Sequence, residues 1–196
     1  MPAPTGSVLT EQARTRLRAG DGLSPAGAQA VGVALRMIDA IDAERDWLRA
    51  ELGRFARAQP GCRALAAEFG FGPLTAPAVW AELGDVRRFS ASRQAVRHTG
   101  LDVTVYSSDG KRTRGHLARQ GPPVLRWALF ETAQSAARRT SPDHAYYAQV
   151  KARQGANRAA LSVARRQVRR AYHILRSLGE EAFAPVRVDN PAAART

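Results

Sequence analysis

Apolar positions along the chain set its first element. From Pro25 to about Ala58, Val31, Ile38 and Leu52 fall on a seven-residue spacing, with Arg45 standing at the skipped position. Ala34, Ile41, Leu48 and Phe55 make a second row three residues later. Two such rows form the a/d seam of a heptad helix, here with one charged defect. Asp42, Glu44, Asp46, Arg49, Glu51 and Arg54 supply the polar flank. Ser24-Pro25 is a helix start, with the serine as N-cap and the proline at the first helical position. Two readings stay open: a coiled coil or helical hairpin that self-associates through residues 25–58, or a long helix packed on its own domain. Residues 1–23, rich in Gly, Pro and small polar residues, read as a flexible N-terminus with at most a helical turn at Glu11–Arg18.

Gln59–Cys62 ends that helix, and the pattern changes. A short helix from Leu65 leads into Gly70-Phe71-Gly72, and a second helix carries Ala76 and Val79. This is the pattern of a helix-hairpin-helix, or of a plain helical turn closed by glycine. In the first reading Gly70 and Gly72 let a phosphate approach backbone N–H groups at a helix start. A short helix capped by Ser90 follows. Leu101, Val103 and Val105 then alternate with Asp102, Thr104 and Tyr106, which predicts a strand with one apolar face. Asp109-Gly110 is a hairpin signal, with "KRTRG" as the return strand. A buried helix is expected from Val124 to Arg139, including Leu125, Trp127, Ala128 and Leu129. Helical spacing returns from Tyr146 to Leu178 with a break at Gly155, its apolar face being Leu161, Ala164, Val168, Ala171, Tyr172 and Leu175.

The expected fold is therefore mainly α: a long coiled-coil-like helix, then a helical domain with a helix-hairpin-helix and one small β-hairpin. The boundaries fall at 24–60 for the long helix, 61–180 for the domain and 181–196 for a disordered tail.

Charge adds a partner to this picture. The net charge is +13, which favours nucleic acid or another anionic surface. Residues 1–60 carry eight basic and seven acidic groups, whereas 111–170 carry fourteen basic and only two acidic, Glu131 and Asp143, a net of +12. The second half is thus the binding half. Arg158, Arg165, Arg166, Arg169 and Arg170 crowd one side of the last helix with few acids to balance them. Phosphate contact explains that better than a solvated face does. Cys62 is the only cysteine, so there is no disulfide framework. No apolar run approaches the ~20 residues of a membrane span, and a cytoplasmic, nucleoid-associated protein is expected. His98, His116, His144 and His173 are scattered, no metal spacing is present, and the chain is expected to hold no cofactor of its own.

"YSSDGKRTRG", Tyr106–Gly115, poses the chemical question. Read alone, it is a basic hairpin turn. The surrounding spacing suggests more: "GFGPLTAPAVWAELGDVRRF" at 70–89, Gly100-Leu101, Ser108, seven residues to Gly115, then Arg119, Gly121 and Leu125-Arg126. Over about Leu65 to Leu178 this resembles the C-terminal domain of the "IS one-ten" type of insertion-sequence transposases, the bridge-RNA-guided recombinases. Asp109 stands where the family often has Gly, and Asp102 where it often has Pro.

The resemblance implies that Ser108, rather than its neighbour Ser107, attacks a DNA phosphodiester and forms a covalent intermediate. It implies DNA as substrate and an element-encoded guide RNA as partner. Lys111, Arg112, Arg114 and Arg119 would then neutralise the phosphate. It also implies an N-terminal RuvC-like domain whose four acids bind magnesium. This chain begins almost at the coiled coil, so a truncated transposase is expected, able to bind nucleic acid but unable to recombine DNA alone. A non-catalytic DNA-binding module or an assembly remnant is the alternative.

Overall fold

The computed structural model describes residues 10–20, 22–108, 111–117 and 120–186, and of 103–108 and 111–117 the backbone alone. Among these, helices predominate and one antiparallel strand pair is present. The chain divides into two units, Met1–Ala50 and Glu51–Thr196, so the division falls inside the long helix.

In the first unit, α1 (Glu11–Ala19) is a full helix rather than a single turn. Thr10 caps it by accepting from the Ala13 N–H, and Glu11 sits in its first turn, where the helix dipole favours an acid. It is held to α2 (Pro25–Ala58) by ion pairs. The Arg14 guanidinium reaches Asp39 at 2.8 Å and Asp42 at 2.6 Å, and Arg18 reaches Asp39 at 2.9 Å. This hydrogen-bonded pairing holds the Asp42 carboxyl below its ordinary range. Asp42 is thus not merely a solvated flank. Ser24 caps α2 as expected, accepting from the Gly27 N–H at 3.1 Å. Arg45, the defect in the heptad seam, is neutralised by Asp42 at 2.5 Å and Asp46 at 3.1 Å. Met37, Ile41 and Leu48 stand exposed at 61%, 65% and 57%.

The second unit contains the core. After α2, α3 (Pro60–Ala66) starts at once, then come α4 (Thr75–Leu83) and α5 (Ser92–His98). Strands β1 (Val103–Ser108) and β2 (Lys111–Leu117) follow, then α6 (Pro123–Gln134), α7 (His144–Gln154) and α8 (Ala156–Leu178), the last two separated at Gly155. α8 is the centre of the bundle: Ala159, Ala160, Val163, Ala164, Val168, Ala171, Tyr172 and Leu175 are buried along it. Leu65, Val79, Leu83, Leu125 and Leu129 from α3, α4 and α6 are completely buried in the same cluster. Each such side chain contributes about 1.5–3 kcal/mol. Two buried polar side chains in this region satisfy each other: the Thr132 hydroxyl donates to Gln167 Oε1 at 2.8 Å across α6 and α8. Cys62 is fully buried, and burial pushes its thiol up to about 12.

Two expectations change here. Trp127 is 49% exposed, because the buried face of α6 is Leu125, Ala128, Leu129, Thr132 and Ala133 and the indole falls between those turns. The tail expected from 181 is ordered at its start. Residues Gly179–Phe183 form a 3-10 turn whose Ala182 carbonyl accepts from Gln59 Nε2 and Trp80 Nε1, at 3.0 and 2.7 Å. Residues 187–196 and 1–9 lie outside the described residues.

Candidate nucleic-acid interface

The stretch that carries the serines lies on β1 and β2. The ladder pairs Ser108 with Lys111, Ser107 with Arg112, Tyr106 with Thr113 and Val105 with Arg114. Positions alternate along a ladder. Ser108 therefore belongs to the set with Tyr106, Lys111 and Thr113, and Ser107 to the set with Val105, Arg112 and Arg114. By register, Lys111 is the ladder partner of Ser108 and Arg112 that of Ser107. Asp109, Gly110 and Arg119 lie outside the described residues.

The feet of this strand pair are fixed by Thr99 and Arg165 and by Gly121 and Arg126, the last two of which belong to the spacing pattern. Thr99 is fully buried, and its hydroxyl accepts from the Leu101 N–H at 3.2 Å. Arg165 of α8 donates its Nε to the Leu101 carbonyl at 2.7 Å. Burial pushes this guanidinium's pKa down, and the Asp102 carboxylate partly offsets that. Asp102 also lies 3.6 Å from Arg97, so this departure from the family pattern has local cationic partners. On the other foot, Gly121 lies against the backbone of His98 and Thr99, where an added Cβ would come within 2.3 Å. Only glycine permits that approach. Arg126 then donates to the Gly121 carbonyl.

The basic side of α8 splits into two groups. Arg165 is committed to Leu101. Arg170 is bonded to the buried Asp143 at 2.5 Å and lies 3.2 Å from Glu68. The bond to Asp143 raises its pKa. Arg166 lies 3.5 Å from Asp143, with its guanidinium carbon 4.5 Å above the Tyr146 ring. These three arginines tie α8 to its neighbours. Arg158 and Arg169 are exposed and make no ion pair among the described residues, so they remain free to meet phosphate.

The Gly70-Phe71-Gly72 turn joins α3 to α4, but its glycines are used within the fold. Gly70 has φ +96°, and a Cβ there would come within 2.2 Å of Ser135 Oγ on the segment after α6. Its conformation and close approach are therefore demanded by packing. The Gly72 N–H, expected to be open to phosphate, donates to Thr75 Oγ1 at 2.9 Å. The turn instead forms one wall of an open cavity of about 450 Å³. Phe69, Gly70 and Phe71 line that side, and Glu131, Gln134, Ser135 and Arg138 line the other. The sequence reading missed this cavity, since its two walls are some sixty positions apart in the chain.

Among the described residues, no three His, Cys, Asp or Glu side chains converge on a point that would hold a metal ion. Among the same residues no helix is long and apolar enough to cross a membrane.

Residues 62–148 match the model of the Transposase IS116/IS110/IS902 family. The matched stretch spans both feet of the strand pair and both walls of the cavity. A probable family 20 transposase of Pseudomonas aeruginosa is 37% identical over 76 residues, 39% of this chain and 22% of that protein. The transposase for insertion sequence element IS1111A of Coxiella burnetii is 30% identical over 118 residues, 58% of this chain and 32% of that protein. The chain thus spans about a third or less of the length of these curated relatives.

Proposed function

We propose that this chain, whose family match and relatives support an IS110-type transposase, engages DNA for the transposition of an insertion sequence and supplies Ser108 as the nucleophile. The observation that carries the reading is the family match over 62–148, which contains Ser108, Gly115, Arg119, Gly121 and Leu125-Arg126 in their expected spacing. In the proposed step, Ser108 Oγ attacks the phosphorus of a phosphodiester. A serine–phosphate ester forms, and the bond from phosphorus to one sugar oxygen breaks. That sugar leaves with a free hydroxyl, and the serine proton passes to it through solvent. A serine hydroxyl is a weak nucleophile and needs nearby positive charge to stabilise the developing anion. Lys111, the ladder partner of Ser108, is the nearest cation by register, with Arg119 close in sequence. Arg158 and Arg169 hold the flanking backbone. By the resemblance an element-encoded guide RNA is a second nucleic-acid partner, and the exposed apolar row of α2 suits residues 25–58 to self-association.

Two measurements test this. Duplex DNA affinity should fall on the order of 10³-fold between 50 and 200 mM salt if six phosphates are contacted, whereas a flat dependence would remove the nucleic-acid reading. With the RuvC-like domain of a family member supplied in trans, Ser108→Ala should abolish the covalent protein–DNA adduct and leave DNA binding nearly intact. Ser107→Ala should retain the adduct. An adduct of equal yield from Ser108→Ala would leave "YSSDGKRTRG" as a basic hairpin that only holds DNA.

A further inference from the structure

The cavity between the 67–74 turn and the end of α6 has no part in the nucleophile reading, and its lining is unusual for a basic surface. Of the two acids in 111–170, Asp143 is accounted for: it is buried and bonded to Arg170. Glu131 is not. It is exposed, makes no ion pair among the described residues, and lines the cavity beside Gln134 and Arg138. Wherever nucleic acid binds, an unpaired carboxylate repels its backbone and should weaken binding. It has a use only if it accepts a hydrogen bond that the ligand offers. In nucleic acids such donors are the base amines, and Glu accepting from cytosine N4 is a known pairing of this kind.

The rest of the lining suits one nucleotide. Phe69 is half-buried and lines the cavity, and an aromatic ring is a surface on which an unstacked base stacks. Gln134 adds an amide able to donate and accept. Arg138 is exposed and makes no ion pair among the described residues, so it is available for the attached phosphate. A volume of about 450 Å³ is within the range of sites for small organic ligands. We infer that this cavity takes a single unstacked nucleobase of a bound strand. It selects a base with an exocyclic amine through Glu131, with Phe69 as stacking platform and Arg138 on the phosphate. Among pyrimidines it therefore favours cytosine over thymine. The inference rests on the nucleic-acid reading above but not on Ser108.

The test compares dC12 and dT12, equal in length and charge, by fluorescence anisotropy with this chain at pH 7.5 and low salt. The intact protein should bind dC12 at least about fivefold more tightly, the low end of what one good base contact discriminates. Glu131→Ala should bring that ratio to near one. Removing the charge relieves repulsion from both strands alike, so the ratio separates base reading from general electrostatics. Arg138→Gln should weaken both strands and keep the ratio. Both positions are exposed on the surface, so loss of fold is not a competing explanation. Equal, salt-sensitive binding of dC12 and dT12 by the intact protein would overturn the cavity inference alone, as would a preference that survives Glu131→Ala. Failure to bind either strand would overturn it together with the nucleic-acid reading.

Discussion

Asp143 and Arg170 show how one residue changes the meaning of a basic run. From the sequence, Arg170 is one more positive charge on a phosphate-facing helix. In the fold it bonds twice to a carboxylate that is 3% exposed, at 2.5 and 3.2 Å, and Arg166 joins at 3.5 Å. Removing one member of a buried pair leaves the other uncompensated and costs about 3–5 kcal/mol, less where a partner is partly solvated. Arg166 and Arg170 are both partly exposed, so Asp143→Ala should cost about 3 kcal/mol. In a chain of this size that is a drop of about 6–12 °C in Tm. The expected loss should be nearly independent of DNA, because the pair serves packing. A thermal melt unchanged within two or so degrees would show that solvent replaces the carboxylate. The partnerships of Arg165 and Arg170 were not legible in the sequence, since Leu101 and Asp143 lie 64 and 27 residues away. Residue type and helical spacing show which side of α8 is basic, but not which cations are already spoken for.

At the scale of elements, what periodicity reports is burial within one helix. It therefore reads well for α8, whose buried face contains Ala164, Val168, Ala171, Tyr172 and Leu175 as expected, whereas in α2 the cap at Ser24 is where it was expected but Ile41 and Leu48 of the seam are exposed. It reads less well where a short helix turns only part of its surface inward, as Trp127 of α6 shows. The Gly70-Phe71-Gly72 turn was visible as a turn, yet its purpose was not, because Ser135 is far away in sequence and only packing brings it to Gly70. The feet of the β1–β2 pair are the opposite case. Gly121 and Arg126 were legible as part of a spacing pattern, and the structure supplies their physical role. Arg165, outside that pattern, is a further anchor. Arg165→Ala should free the Leu101 carbonyl and loosen the attachment of β1 to α8. Hydrogen exchange of 103–117 should rise, and adduct yield should fall several-fold at saturating DNA, while affinity changes little. Arg169→Ala should do the reverse, lowering affinity and leaving exchange unchanged. If Arg165→Ala merely weakens binding, it contacts phosphate as the sequence suggested, and the bond to Leu101 has no positioning role.

For the whole molecule, charge is unevenly separated along the chain. The near-neutral first sixty residues contain α1 and all of α2, and the +12 stretch at 111–170 contains β2 and the helices with free arginines. What remains unassigned in the first part is an apolar row. Met37, Ile41 and Leu48 recur along one side of α2, while Leu35 on another side is 5% exposed in the unit that contains α1. Large exposed aliphatic side chains in a row are costly to leave in water, at about 25 cal/mol per Å² of apolar surface. Arg45, the charge that would interrupt a seam, is already held by Asp42 and Asp46, so it does not oppose pairing of two such helices. Self-association through 25–58 is an arrangement that buries the row. Ile41→Asp with Leu48→Asp should then give a monomer by light scattering at tens of micromolar, where the parent is a dimer or larger. The double variant should keep its helicity by circular dichroism, because both positions are exposed at present. It should also lose avidity on DNA with two sites and keep its affinity for a single site. A parent protein that is already monomeric at that concentration would end the claim. The row on α2 would then have to be covered by something other than a second copy of this chain.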